Sequence, residues 1–413
     1  MYRDIIIKEL FNEEDLILVD MVREFTEDVI FPVRQKIDDD KDHLIIHEIL
    51  EGLTNLGFMR AIWPEEIGGS NMTKILPFTA TLEEISRGDT GIAVSLGCSL
   101  WAFIPAVLAK NEAIIKDFGT RCCNDELIIG CFNMTEPGGP TGGGGCDIEN
   151  ISIEGKKIKT RAEFDGEEWI LNGEKLWASN SGIADVYLMV ANTDPALGDE
   201  GIALIYVPSP TEGLSFGKFE NKAGLQADRN CATFMEDIRV PKDYRLTGPG
   251  EDAKYFHINL TIGRIASAAM SVGCAQGAFE AVLEFTKDRI VGKTGRPIRQ
   301  HSIAAGMIAD MAIGIETARN AYINAAYKFD HPEQYGPQEA LSQLSRATIA
   351  KVYAADMAIM VTNRAMELMG SYGYVREYNV EKYWRDCKII QLWEGGAQLG
   401  RFDVCRGYYE LDL

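Results

Sequence analysis

Val186-Tyr187-Leu188-Met189-Val190-Ala191 and Ile202-Ala203-Leu204-Ile205-Tyr206-Val207 are short apolar runs rich in β-branched and aromatic residues. Three more lie around them: Ile128 to Phe132, Trp169 to Leu171 and Thr233 to Met235. Asp165-Gly166, Asn172-Gly173 and Pro208-Ser209-Pro210 separate the runs with residues that favour turns. Short strands spaced by turns predict a sandwich or barrel over residues 128–245, not alternating βαβ units.

The period changes on both sides. Upstream, Leu16, Val19, Val22, Phe25 and Val29 recur at three- and four-residue steps with charges between them, the spacing of one buried helix face. Gly57-Phe58 and the segment from Trp63 to Gly69 interrupt the helices, which resume through Leu82 and Ile85 to Leu108. Downstream, a long helix is predicted near 254–288, where Ala266, Ser267, Ala268, Ala269, Ser271, Gly273 and Cys274 permit close helix contact. Another is predicted from Pro337, a favourable first-turn residue, to Gly370, a favourable C-cap. The expected organisation is α+β: a helical domain over 1–127, a β-barrel or sandwich domain over 128–245, and a helical domain over 246–413.

Composition narrows the partners. Of the 413 residues 46% are hydrophobic, enough for a large core and too many for a disordered chain. With 41 basic against 62 acidic residues the net charge is −21, which disfavours nucleic acid or an anionic membrane as the main partner. No membrane-spanning run of about 18 uncharged apolar residues is expected. Met1-Tyr2-Arg3-Asp4 does not open a signal peptide, so a cytoplasmic protein without membrane insertion is expected. Nine cysteines, none in a C-x-x-C pair, are expected to be free thiols. His43 and His47 read as solvated helix surface, since no third metal ligand lies nearby.

Two nucleotide-like motifs fail. The run from Gly138 to Gly145 lacks the third glycine of G-x-G-x-x-G, because Asp147 stands there, and no helix follows it. Gly292-Lys293-Thr294 resembles the end of a P-loop, but Lys287 occupies the position of the required earlier glycine. Four other segments carry more. Met134-Thr135-Glu136-Pro137-Gly138 ends a predicted strand, and Leu176-Trp177-Ala178-Ser179-Asn180 lies in the same zone. Arg289 is followed by Gly295-Arg296-Pro297-Ile298. Gly370-Ser371-Tyr372-Gly373-Tyr374 leads through Arg376-Glu377-Tyr378 and Arg385-Asp386 to Trp393-Glu394-Gly395-Gly396-Ala397-Gln398.

In this order the segments closely resemble the acyl-CoA dehydrogenase family of flavoproteins, over about residues 15–407. The resemblance implies a C-terminal four-helix bundle, bound FAD, a homotetramer, and oxidation of an acyl-CoA thioester between Cα and Cβ. It also implies electron-transferring flavoprotein as the acceptor. Such a reaction needs a base against a weakly acidic α C–H in a water-poor pocket, and donors on the thioester oxygen. Glu394 matches the family's catalytic glutamate; between Trp393 and two glycines it is expected to be desolvated. Its own backbone N–H is expected at the thioester oxygen. At the family's alternative base position stands Gly263, so Glu394 has no competitor there.

The resemblance further places Arg264, Trp393 and Gly395 at the substrate. It sets Met134 and Thr135 against the flavin ring, Trp177 over its face and Ser179 near N5. Arg289 is expected to reach the FAD pyrophosphate from a neighbouring subunit. Glu367, Gly370 and Ser371 are expected along the adenosine half, with Gln398 near the same cofactor.

The chain also departs from the family. Gly396 replaces a threonine that contacts flavin, and Ser302 replaces a glutamine that contacts FAD. A substrate-side serine falls within the glycine run, leaving Thr141 or Cys146 in its place. The uncharged helix from Thr90 to Ser99 is expected to line the acyl pocket with Trp393. Ala93 stands where glutaryl-CoA members carry arginine, which argues against a dicarboxylic acyl group. Asp89 reads as the N-cap of this helix or as a second acid. The altered pocket points to a bulky or alicyclic acyl group, as in cyclohexanecarboxyl-CoA. Two other readings stay open: a flavin monooxygenase or oxidase on the same scaffold, and a non-catalytic helical scaffold protein without FAD.

Overall fold

Asn12 opens the first helix with a capping box, accepting from the Asp15 N–H at 2.7 Å while Asp15 accepts from the Asn12 N–H at 3.2 Å. The computed structural model describes residues 8–138, 158–293 and 295–409. Its N-terminal helices are α1 (Glu13–Phe25), α2 (Phe31–Ile37), α3 (Leu44–Asn55), α4 (Ile75–Gly88) and α5 (Thr90–Ala109), then the short α6 (Glu112–Ile114) and α7 (Thr120–Cys123). Val19 and Val22 are buried as their spacing predicts, but Val29 is exposed. The chain widens into a π-turn over Thr26–Ile30, and this extra residue per turn brings Ile30 inward instead.

Asp89 alone separates α4 from α5 and caps α5 by accepting from the Ile92 N–H at 3.0 Å. Helix α5 carries no charge over its 20 residues and is long and apolar enough to cross a membrane. This corrects the expectation that no such run exists. Most of α5 is buried against α4 and its other neighbours, so its hydrophobicity is that of a core helix.

The middle of the chain forms one curled sheet of β1 (Gly130–Asn133), β2 (Arg161–Phe164), β3 (Glu168–Lys175), β4 (Val186–Asn192), β5 (Ile202–Pro208), β6 (Leu214–Phe216) and β7 (Thr233–Pro241). The order is β1-β4-β2-β3-β7-β6, with β5 also on β4. Strand β1 runs parallel to β4, while β2–β3, β3–β7, β4–β5 and β6–β7 are antiparallel. Alternation explains why β4 is apolar from Val186 to Ala191: Val186, Leu188 and Val190 pack on the helices, whereas Tyr187, Met189 and Ala191 join a second core inside the sheet. Strand β2 escapes a reading by hydrophobicity because Ala162 is its single buried residue.

The C-terminal helices are α8 (Asp252–Asp288), α9 (Ser302–Phe329), α10 (Pro332–Tyr335), α11 (Leu341–Met369), α12 (Val380–Leu392) and α13 (Gly396–Tyr409). Helix α11 starts four residues beyond Pro337, because Pro337 opens a turn in which its carbonyl accepts the Ala340 N–H at 3.0 Å. Gly370 caps α11 at φ 59°. The small residues of α8 let α4 lie against it: a Cβ on Gly273 would sit 2.1 Å from the Glu83 carbonyl oxygen.

Asp330, just after α9, caps α4 from outside, accepting from the Ile75 and Leu76 N–H groups at 2.7 and 2.9 Å. Burial lifts its carboxyl from 3.8 to about 6, against the pull of these two amides. A carboxyl with a raised folded-state value holds its proton better when folded, so its contribution to stability falls as pH rises through about 4 to 6. Asp330→Asn is expected to flatten that slope by about 2 kcal/mol between about pH 4 and pH 7. Urea denaturation at the two pH values checks this; an unchanged slope contradicts it.

Candidate active site

Trp393, Glu394, Gly395 and Gly396 make the turn from α12 into α13. Glu394, Gly395 and Gly396 all take left-handed conformations, at φ 55°, 88° and 60°. For glutamate this costs about 1–2 kcal/mol, which the surroundings must offset. The Trp393 carbonyl accepts from the Gly396 N–H at 2.9 Å and from Lys351 Nζ at 2.5 Å, while its indole N–H donates to Ser267 Oγ at 2.9 Å. Behind the turn lies the buried Arg264, whose Nη2 is 2.6 Å from Asp403 Oδ2 and whose Nη1 donates to the Thr348 hydroxyl. A third consecutive left-handed residue suits glycine, the residue present at 396.

The turn opens onto a cavity of about 990 Å³, at the upper end of the usual range of about 300–1,000 Å³ for small-molecule sites. Glu394 points across α8 at Gly263: a Cβ there would stand 2.7 Å from Glu394 Oε1 and 2.6 Å from Trp101 Cζ2. Only a residue without a side chain leaves the carboxyl and the indole their places. Glu394 Oε2 is shielded from solvent. The expectation of a desolvated carboxyl thus has a physical basis in Trp101, Trp393 and the bare Gly263 surface.

Met134, Thr135, Trp177 and Ser179 line the same cavity, with Trp393, Gly395 and Arg264. Trp177 is 55% exposed and left-handed at φ 66°, so it is an open ring at the cavity wall, not a core tryptophan. The two segments expected to flank a flavin are tied together: the Thr135 carbonyl accepts from the Leu176 N–H at 2.8 Å, and the Met134 carbonyl accepts from Lys175 Nζ at 3.0 Å. Lys175 and Glu136 form a buried ion pair at 2.8 Å. Burial pushes the Lys175 ammonium down to about 8, with the Glu136 charge opposing that fall.

Helix α5 contributes Val94, Gly97, Cys98 and Trp101 to the cavity. Ala93 is fully buried and does not line it, so the uncharged character of this wall rests on those four residues. Burial pushes the Cys98 thiol far above its usual range, making it a neutral lining group. Asp89 lies outside the cavity, as the buried cap of α5. The structure therefore supports the capping role over that of a second acid. Sequence reasoning passed over Lys175 and Trp101, whereas Cys98 falls within the expected Thr90 to Ser99 lining. Lys175 lies beyond Asn172-Gly173, a pair expected to turn; β3 instead continues through it, with a register shift against β7, and buries Lys175 at its end.

Six expected cofactor residues lie elsewhere. Arg289 is exposed at the end of α8, roughly 37 Å along the helix from Arg264, with its guanidinium 5.0 Å from the centre of the Tyr372 ring. Ser302, Glu367, Gly370, Ser371 and Gln398 are also exposed, and Glu367 accepts from Asn363 Nδ2 at 2.8 Å. A single chain does not gather them at the cavity. Thr141 and Cys146 lie outside the described residues.

Comparison with known proteins follows the same three parts. The acyl-CoA dehydrogenase N-terminal, middle and C-terminal domain families match residues 12–121, 131–238 and 253–408. The mitochondrial short-chain specific acyl-CoA dehydrogenase of Homo sapiens is 30% identical over 394 residues, 95% of this chain and 89% of the human one. Cyclohexane-1-carbonyl-CoA dehydrogenase of Syntrophus aciditrophicus (strain SB) is 30% identical over 388 residues, 94% of each chain. The solved structure of butyryl-CoA dehydrogenase from Megasphaera elsdenii is similar with a TM-score of 0.82 at 28% identity, covering 96% of this chain and 98% of that one. With its three domains matched in order and a relative of this identity covered almost end to end, the chain belongs to the acyl-CoA dehydrogenase family.

Proposed function

We propose that this chain binds FAD and oxidises a bulky or alicyclic acyl-CoA to its α,β-unsaturated thioester, with Glu394 as the base that takes the α-proton. The observation that carries this reading is the shared cavity, which the Glu394 carboxyl and the wall of Met134, Thr135, Trp177 and Ser179 line together. That wall fits a flavin ring: Trp177 offers an open aromatic face, and Thr135 and Ser179 offer hydroxyls. Bound there, FAD supplies the acceptor for the β-hydride. Glu394 removes the α-proton, and its turn, held by Lys351 and backed by Arg264, keeps the carboxyl aimed into the cavity. Apolar Trp101, Phe132 and Trp393 exclude the water that would solvate the carboxylate.

Short side chains favour a wide acyl group. Gly97 and Cys98 on α5 face a cavity that Gly263, Ala266 and Ser267 border from α8. Relatives named for short chains and for cyclohexane-1-carbonyl-CoA match equally well at 30%, so the pocket, and not the nearest name, must decide. Anaerobic addition of linear, branched, aromatic and alicyclic acyl-CoAs to the FAD-loaded protein tests this. Alicyclic thioesters are expected to bleach the flavin fastest; bleaching by linear chains alone contradicts the acyl assignment, and no bleaching by any contradicts the reaction.

The distal cofactor residues support a homotetramer in which one copy completes its neighbour's FAD site. Arg289, held open above Tyr372, suits a pyrophosphate arriving from another copy. Arg289→Ala is expected to weaken FAD retention about tenfold or more, measured as flavin content after gel filtration. Unchanged content removes Arg289 from the cofactor. Electron-transferring flavoprotein is the proposed acceptor, and the net charge of −21 suits a partner with a basic docking face.

A further inference from the structure

Lys175 is an unusual residue to find at 0% side-chain exposure, and its two bonds explain its place. Its ammonium donates to Glu136 Oε1 at 2.8 Å and to the Met134 carbonyl at 3.0 Å. Glu136 is saturated besides, accepting from the Lys159 N–H at 2.7 Å, the Thr160 N–H at 2.8 Å and the Thr160 hydroxyl at 2.7 Å. The Thr135 carbonyl is taken by Leu176. The acceptors of the Met134–Glu136 segment are thus turned toward the end of β3. Among the described residues, the Thr135 N–H donates to no protein acceptor, although Thr135 lines the cavity.

We propose that Lys175 is a positioning residue for the flavin, fixing the Met134–Thr135 peptide so that the Thr135 N–H serves the cofactor as a polarised donor. The inference rests on FAD occupying the cavity. A cation on a peptide oxygen draws electron density from the peptide and strengthens the N–H of the same unit as a donor. That N–H then favours negative charge on the ligand it meets, which makes the bound flavin easier to reduce. Glu136 keeps the ammonium charged, and Lys175, which does not line the cavity, passes the charge on through one carbonyl.

Titration of FAD-free wild type, Lys175→Met and the double variant Glu136→Gln/Lys175→Met with FAD tests the proposal. The readouts are the flavin absorption spectrum, the dissociation constant and the reduction potential. Lys175→Met is expected to weaken FAD about tenfold or more, shift its visible band and make it harder to reduce. The double variant removes both charges, so it is expected to fold even if the single variant does not, and to show the same spectral shift and lowered potential. A folded variant with wild-type spectrum and potential overturns the role of Lys175. Failure of wild type to bind FAD overturns the cofactor assignment instead.

Discussion

Replacing Glu394 by glutamine is expected to leave FAD bound while slowing its reduction by acyl-CoA about a hundred- to ten-thousand-fold, the range that a positioned general base supplies. Glutamine preserves the volume and the left-handed turn at φ 55°, so Trp101, Trp393 and the Gly263 surface keep their packing. It removes the lone ability to accept a proton. The α C–H is too weakly acidic to yield its proton to water in a cavity that excludes it. Stopped-flow measurement of flavin bleaching under anaerobic conditions reads the effect, with the oxidised flavin spectrum confirming that FAD remains. Reduction within about tenfold of wild type would remove Glu394 from the role of base.

Lys382→Met is expected to destabilise the fold by about 3–5 kcal/mol, the cost of stripping the partner from buried charge. Lys382 Nζ lies 2.8 Å from Asp38, 2.9 Å from Asp89 and 2.8 Å from Asp386, all of them buried or nearly so. Burial alone would lower its pKa, but the three carboxylates hold it well above the usual lysine range. Each carboxylate anchors a different part of the chain. Asp38 follows α2 and pairs with Arg385 at 2.6 Å; Asp89 caps α5; Asp386 accepts from the Leu225 N–H at 2.6 Å in the connection between β6 and β7. Without the ammonium, three carboxylates share one low-dielectric pocket with only Arg385 still directly paired to one of them. Against a typical total of about 5–15 kcal/mol this is a severe loss. Urea denaturation measures it; a loss under about 1 kcal/mol would mean that the carboxylates find protons or water at little cost.

These two predictions differ in how far the sequence foretold them. Trp393-Glu394-Gly395-Gly396 is contiguous, and the expectation for Glu394 comes from the resemblance of this segment and its flanks to the family's catalytic stretch, not from the four residues alone. The lysine junction joins Asp38, Asp89, Leu225 and Asp386, whose proximity arises only when three helical and sheet regions meet. No local period announces it. The long apolar strands were legible because β4 and β5 are buried on both faces, whereas β2, with Ala162 alone inside, was not. Helix α5 shows the converse: its uninterrupted apolar run is plain in the sequence, but only its burial against α4 and α8 marks it as a core helix and not a membrane-spanning one.

Period and parity also mark the limits of local reading. Val29 fits the helical spacing and still faces solvent, since a π-turn at Thr26–Ile30 rotates the face. Ala93 sits on the expected pocket helix but turns into the core, leaving Val94, Gly97, Cys98 and Trp101 to line the cavity. Arg289, Ser302, Glu367, Gly370, Ser371 and Gln398 were expected at the cofactor and lie exposed away from the cavity; the proposed assembly would bring Arg289 to a neighbouring copy's FAD.

A structure of the FAD-loaded protein with a saturated acyl-CoA bound tests the central claim most directly. The Glu394 carboxylate is predicted to touch the carbon next to the thioester carbonyl, with the flavin ring on the opposite side and against Thr135 and Trp177. A carboxylate facing away from that carbon, or a thioester bound outside the cavity, would contradict it.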